Sequence, residues 1–467
     1  MRRVRIRFLL TFLAGVMAAA VTGVLAGSAG SLAATRYEEL SVFTNVLNLV
    51  RRNYVEPVAE DVLVRGALRG MLAELDPHSS FLDPDAYKEM QVDTKGEFHG
   101  LGIEISKRKD GYVEVISPIE GTPAAQAGIR ARDRITAICP TEVPEGWTEP
   151  CRSSKNMTLF EAVSLMRGKK GSKITIEIYR EGFERSQPFE ITRDVVKVVS
   201  VSGRMLEPNY AYLRLRAFQE HTDEDLEATL ADLHRESGEP FQGLVLDLRD
   251  NPGGLLDQAV KVADNWLKDG LVVYTKGRDE SQRQEFRAHL DGTEPSYPIV
   301  VIVNEGTASA SEIVAGALQD HGRALVIGLK SFGKGSVQTV YPLEGGAGLR
   351  LTTALYYTPA GRSIQEVGIS PDIPVQPLVV AAAGEEMPSR IREQDLEGHF
   401  TQQDATPQAE ESESGAPDPT LAAGEGDVQL ARAVEVLKSW TYFERLKRAP
   451  DAPVQALADE AKPEANP

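Results

Sequence analysis

Cysteine is nearly absent from this chain, with only Cys139 and Cys151 in 467 residues. Histidine is scarce too, at seven, and tryptophan numbers three. Two thiols with no histidine near them argue against a zinc site. The histidines (His78, His99, His221, His234, His289, His321, His399) are scattered. None sits in a glycine-rich turn or beside an acid with obvious orienting geometry, so the sequence offers no histidine base. Basic residues are also short, 51 Lys and Arg against 69 Asp and Glu, a formal net charge of -18. A phosphate backbone would be repelled over most of such a surface, which argues against nucleic acid as a partner. Glycine (40), proline (27) and a hydrophobic share of 42% are ordinary and exclude a fibrous, collagen-like or wholly disordered chain.

The charge is segregated. Residues 1–35 carry Arg2, Arg3, Arg5 and Arg7 and no acid, whereas 385–427 hold twelve acids against Arg390 and Arg392. After the arginines, Phe8 to Ala26 is nineteen residues without a charge, followed by small residues through Ala34. This reads as an export signal, either cut near Ser31 and Ala33 or retained as an inner-membrane anchor over residues 8–26. Everything beyond residue 35 is then expected to be extracytoplasmic, in the periplasm or cell envelope. In an oxidising compartment Cys139 and Cys151 are expected to pair, closing a loop of thirteen residues (151 - 139 + 1). Such closure removes roughly 3 kcal/mol of unfolded-chain entropy.

Apolar residues recur at helical spacing through 36–75, broken at Tyr54 to Pro57, which predicts two or three helices in an N-terminal region 36–95. Residues 96–195 hold short β-branched runs around one helix, Leu159 to Arg167. From 208 to 375, apolar runs alternate with helices, and continuous runs such as GLVLDLR and PIVVIVN predict strands covered on both faces of an α/β layer, within a region 196–383. Strand Leu271 to Thr275 is placed in the same layer. Residues 384–427 are rich in Glu, Gln, Ser, Pro and Ala and read as an acidic disordered linker. Residues 428–447 place Leu430, Val434, Leu437, Trp440 and Phe443 on one helical stripe that must dock on its own chain or a second copy, ahead of a disordered tail, 448–467.

Chemistry is expected beyond the strand C-termini of such a layer. Asp250-Asn251-Pro252-Gly253-Gly254 follows one strand, and its glycines let backbone N–H groups face a developing negative charge. Asn304 to Glu312 (NEGTASASE) follows another, and its small residues let a serine stand at a helix N-terminus. Ser309 and Ser311 are equally credible as helix caps there, with Glu312 completing a capping box. A lysine could serve as base: Lys334 lies between glycines in Ser331 to Gln338 (SFGKGSVQ), with apolar neighbours, no local carboxylate and the neutral amide of Gln338 nearby.

GTASASE, FGKGSVQ and DLRDNPGG in this order, with 25 positions from Ser309 to Lys334, resemble the carboxyl-terminal processing (tail-specific) proteases. Tyr54-Val55, Gly70 to Leu72 and Leu75 to Ser79 resemble the family's N-terminal region, and Gly96 to Asp194 its PDZ domain. The resemblance implies an α/β, multidomain fold with a crotonase/Clp-protease-like α/β core, an inserted β-rich PDZ domain and N-terminal helices. It implies Ser309 as nucleophile, Lys334 as general base, Gln338 orienting the lysine, and backbone amides of Gly253 or Gly254 and Ala310 as oxyanion hole. Ser311 and Glu312 then merely cap the helix. In the PDZ domain, Gly100, Leu101, Gly102 and Ile103 would hold a terminal carboxylate, with Leu101, Ile103, Leu159, Val163 and Met166 lining an apolar pocket. Arg167 is a candidate for coupling this domain to the core. Substrates would be proteins or peptides with free apolar C-termini, cut near that end, with no cofactor and no metal. A homo-oligomer and an adaptor protein are further expectations. An inactive scaffold would have lost Ser309 or Lys334, and an acyl-CoA enzyme of the crotonase type does not suit an exported chain. Two departures stand out: Arg132-Asp133 replaces the family's Gly-Asp, and the Cys139 to Cys151 insert replaces a short hairpin.

Overall fold

A computed structural model describes residues 40–141, 143, 147–290, 292–377, 391–401 and 427–448. It divides at Leu75 into two units. The export segment 8–26 and the tail beyond 448 lie outside the described residues, and no helix among those residues is long and apolar enough to cross a membrane. In the first unit, helices at 40–53 and Glu60–Ala73 are joined by an Arg51–Glu60 ion pair of 2.8 Å.

In the second unit, the α/β layer is a six-stranded sheet in the order Val201–Glu207, Tyr210–Leu215, Gly243–Asp247, Ile299–Val303, Leu325–Gly328, Ile373–Pro374. The first pair is antiparallel and the rest are parallel. Both faces are buried, which is why these strands read as unbroken apolar runs. Leu244, Leu246, Val301 and Val303 enter the cluster formed with helices Thr222–Ser237, Leu256–Asp264 and Ala310–Asp320. Val245, Val300 and Ile302 face Ala433 and Leu437 of helix Val428–Arg448. That helix therefore docks on its own chain through Leu430, Val434 and Leu437, while Trp440 and Phe443 of the predicted stripe stay 54% and 61% exposed.

Strand Leu271–Lys276 does not join this layer. It pairs with Gly348–Tyr357 in a second sheet that also holds Ser80–Leu82, Gln284–Arg287 and Ser336–Pro342. The linker expectation for 384–427 also needs correcting. Residues 391–401 are folded, with a short 3-10 turn at Glu393–Asp395 whose Glu393 is fully buried; 384–390 and 402–426 lie outside the described residues.

The β-rich module is a sheet of Ile103–Lys107, Val113–Pro118, Arg134–Pro140, Lys173–Tyr179 and Gln187–Thr192, with Arg152–Ser153 beside Arg134–Pro140 and helix Leu159–Met166 packed on it. Cys139 and Cys151 are joined by a disulfide. Arg132 takes the left-handed conformation (φ 68°) that glycine would take more easily. The turn is held by Asp133, which accepts from the Arg130 amide at 2.8 Å and from Arg180 through two bonds of 2.6 Å.

Candidate active site

Two strand-to-helix turns are laced together at the C-terminal edge of the layer. Asn304 Oδ1 accepts from the Asp250 amide at 2.9 Å, and the Ala308 amide and the Ser311 hydroxyl both donate to the Asn251 carbonyl at 3.0 Å. Ser311 thus ties one turn to the other; it does not cap the helix. The small residues of TASAS are needed because the chains touch here. A Cβ on Gly253 would lie 2.9 Å from both the Ala310 nitrogen and the Ser309 Cβ, and one on Gly254 only 2.1 Å from the Phe218 carbonyl oxygen. Gly254 also has φ 143°, out of reach of a side chain without strain.

Ser309 stands just before helix Ala310–Asp320 with φ 55° and ψ -115°. Such a backbone costs on the order of 1–3 kcal/mol and persists only where the surroundings enforce it. Here the enforcement comes largely from Glu312, which is fully buried. Its Oε2 accepts from the amides of Ser309 (2.7 Å) and Lys334 (3.0 Å), and its Oε1 from the Gly333 amide (2.7 Å) and the Ser331 hydroxyl (2.5 Å). Glu312 is more than the helix cap its spacing suggests, because it joins the serine turn to the lysine loop. Burial pushes its carboxyl up to about 7, against the pull of those four donors.

The free donors are equally specific. The Gly253 amide donates to Asn251 Oδ1 at 2.9 Å, so it is not available as an oxyanion donor. The amides of Gly254 and Ala310 have no hydrogen-bond partner among the described residues. The Tyr356 hydroxyl neighbours the Ser309 side chain, and burial pushes that phenol up to about 12, so it stays neutral at ordinary pH.

Lys334 follows strand Leu325–Gly328, in a loop whose Phe332 amide donates to the Thr307 carbonyl at 3.0 Å. Burial drives its pKa down, and the positive charge of Arg350 adds to this. The expectation that no carboxylate lies near needs correcting, since Glu393, Glu312 and Asp76 all act on the amine in the opposite sense; burial and Arg350 prevail. All three carboxylates are distant from Lys334 in sequence. Gln338 directs its Nε2 to Ser336 Oγ at 2.9 Å and Thr352 Oγ1 at 3.4 Å, and no hydrogen bond joins it to Lys334. His78 does have an acid beside it: its Nε2 is 2.9 Å from both oxygens of Glu393. Sequence reasoning assigned no role to Asp76, His78, Tyr356 or Glu393. The Leu75 to Ser79 motif was the one available signal, but it was grouped with the N-terminal helices.

In the β-rich module, Ile103–Lys107 is an edge strand headed by Leu101 and Gly102, whose amides have no partner among the described residues. Gly100, Leu101 and Met166 are buried, the last two in the module's core; Ile103 and Val163 are half-buried, and Leu159 is exposed. The expected pocket is thus open at Ile103, Leu159 and Val163 and closed at Leu101 and Met166. Arg167 Nη1 pairs with Glu89 Oε1 at 3.1 Å, and its guanidinium lies over the Phe98 ring.

Comparison with known proteins adds the family. The models for peptidase family S41, the PDZ domain and the activating protease CtpB N-terminal domain match residues 209–375, 89–179 and 18–86. Over 93% of its length the chain is 43% identical to the carboxy-terminal-processing protease of Bartonella bacilliformis, 96% of which is covered. The chain belongs to the carboxy-terminal processing proteases of family S41. This protease is therefore a serine-type peptidase with a PDZ domain. It is also 32% identical to the carboxy-terminal processing protease CtpA of Bacillus subtilis, over 78% of this chain and 76% of that one. Among solved structures it is similar to the photosystem II D1 C-terminal processing protease, with 30% identity, a TM-score of 0.40 and coverage of 72% of this chain and 92% of that chain.

Proposed function

We propose that the protease is an extracytoplasmic endopeptidase that captures a free apolar C-terminus on the PDZ edge strand and cuts the substrate near that end. The observation that carries this reading is the strained Ser309 flanked by the free amides of Gly254 and Ala310, with the half-buried Lys334 tied to the same turn through Glu312. Ser309 Oγ attacks the scissile carbonyl carbon as Lys334 Nζ takes the hydroxyl proton. The Gly254 and Ala310 amides hold the resulting oxyanion, each such donor being worth about 3–4 kcal/mol of barrier. Collapse breaks the C–N bond, and the leaving amine takes the proton from Lys334. Water then attacks the acyl-serine, giving a proton to Lys334 and releasing the new carboxyl end as Ser309 regains its hydrogen. Gln338, which makes no hydrogen bond to Lys334 among the described residues, is not needed for these proton transfers.

The free Leu101 and Gly102 amides support carboxylate capture, and the disulfide supports an oxidising compartment. The test compares an unfolded substrate ending in an apolar tail with the same substrate amidated at its C-terminus. Cleavage of the first, slower cleavage of the second and none by Ser309→Ala or Lys334→Ala is the expected result. Full activity in Lys334→Ala would overturn the general-base assignment, and equal cleavage of the amidated substrate would overturn C-terminal capture.

A further inference from the structure

The segment 391–401 has only Ile391, Leu396 and Phe400 as apolar side chains, yet it is seated on both sides of the lysine loop. Arg392 Nη2 donates to the Ser331 carbonyl at 3.0 Å, and the Glu393 amide to the Phe332 carbonyl at 3.3 Å. On the other side the segment grips the stretch that holds the glycines around Lys334. Gln365 Oε1 accepts from the Gly335 amide at 3.0 Å, while its Nε2 donates to Glu393 Oε1 at 2.9 Å and to the Phe400 carbonyl at 3.3 Å. The Glu366 amide donates to the Gly333 carbonyl at 2.9 Å, and the Glu366 carboxylate meets His399 Nε2 at 2.7 Å. Glu366 itself is held at φ 63°. Residues 331, 332, 333 and 335 are thus all fixed, directly or through one side chain, by a segment reaching back from beyond residue 390.

The structure assigns to residues 391–401 the role of a strap belonging to the active centre, with Arg392 and Glu393 as positioning residues for Lys334. This rests on Lys334 being the base. A surface strap would expose its acid to water, but Glu393 is fully buried between His78, Gln365 and the lysine loop. Burial acts to raise its pKa, yet the His78 and Gln365 hydrogen bonds and the charges of His78 and Lys334 leave it below the ordinary carboxylate value, so it is an anion facing the amine. The other charges acting on Lys334 are Arg350 from strand Gly348–Tyr357, Glu312 from helix Ala310–Asp320 and Asp76 ahead of strand Ser80–Leu82. Of the strap's remaining charges, Arg392, Asp395 and His399 are bonded to Ser331, to the Arg392 amide and to Glu366 respectively, and Glu397 is exposed.

The test is the pH dependence of kcat/KM for full-length Glu393→Gln, with Arg392→Ala and Lys334→Ala alongside. Removing one of the three carboxylates that favour the protonated amine should move the acidic limb to lower pH. The Glu312 carboxyl is unaltered in this variant, and His78→Gln assayed alongside shows any part of the shift that belongs to the imidazole beside Glu393, so the limb displaced only in Glu393→Gln reports the lysine. Arg392→Ala, which frees the strap from the Ser331 carbonyl, should lower kcat by roughly tenfold to a hundredfold with KM unchanged, the loss expected of a base moved by about 1 Å. A Glu393→Gln profile superimposed on that of the parent, or an Arg392→Ala effect confined to KM, overturns the strap role. Activity retained in Lys334→Ala would instead overturn the underlying base assignment. If Glu393→Gln fails to fold, as judged by its melting curve, Arg392→Ala decides.

Discussion

Replacing Glu312 with glutamine removes an oxygen from a carboxylate with no spare acceptor. In one orientation the new amide nitrogen would face the Ser309 and Lys334 amides, leaving two buried donors unpaired. In the other it faces the Gly333 amide and the Ser331 hydroxyl; the hydroxyl can rotate, so only Gly333 loses its acceptor. The second orientation is the cheaper one. One buried donor left unpaired costs about 1–3 kcal/mol. Glu312→Gln should therefore unfold at lower denaturant by that amount, and its kcat should fall with little change in KM as the lysine loop shifts.

The same residue makes a second, sharper demand. Its carboxyl rises from 4.5 in the unfolded chain to about 7 when folded, a gap of about 2.5 pH units. A raised acid contributes its full stability below the unfolded value and loses it as pH climbs to the folded value, because between the two only the folded state holds the proton. At 1.36 kcal/mol per unit this amounts to roughly 3 kcal/mol lost between about pH 4.5 and pH 7. Glutamine does not titrate, so the unfolding free energy of the parent should fall by that amount relative to that of Glu312→Gln across this window. Urea unfolding of both proteins at half-unit intervals measures it. A difference that stays constant from pH 4.5 to 7.5 would show that Glu312 is not the buried acid described here.

Two further substitutions probe separate parts of the molecule. Gly254→Ala puts a methyl group 2.1 Å from the Phe218 carbonyl oxygen and must displace the free amide; kcat should fall by roughly 100- to 1,000-fold at nearly constant KM, and a drop below tenfold in steady-state cleavage would remove Gly254 from the oxyanion hole. Cys139→Ser with Cys151→Ser opens the insert and should cost about 3 kcal/mol in the melting of the PDZ domain, a loss that reducing agent reproduces in the parent; identical melting with and without reductant refutes it.

The layer that carries the nucleophile was legible because burial on both faces makes continuous apolar runs, and Gly243–Asp247 and Ile299–Val303 are such runs. The serine and lysine turns were legible because close chain approach demands glycine and alanine locally. What the pattern could not assign was partnership. Leu271–Lys276 reads as a strand of the same layer, but the apolar period fixes the conformation of a strand and not its neighbour, which proved to be Gly348–Tyr357. Polar partnership is harder still to read. Glu312 looks like a cap because its nearest donor in sequence is Ser309, while two of its other partners, Gly333 and Lys334, lie more than twenty residues away. The strap was averaged into an acidic linker, since a segment that docks through carbonyls, amides and one buried carboxylate leaves no hydrophobic signature. The environment that sets the base is therefore drawn from Asp76, Glu312, Arg350 and Glu393, four positions spread across more than three hundred residues. A local reading can find the lysine, but its proton affinity is a property of the folded chain, so the pH profile probes this architecture more directly than the loss of activity in Lys334→Ala.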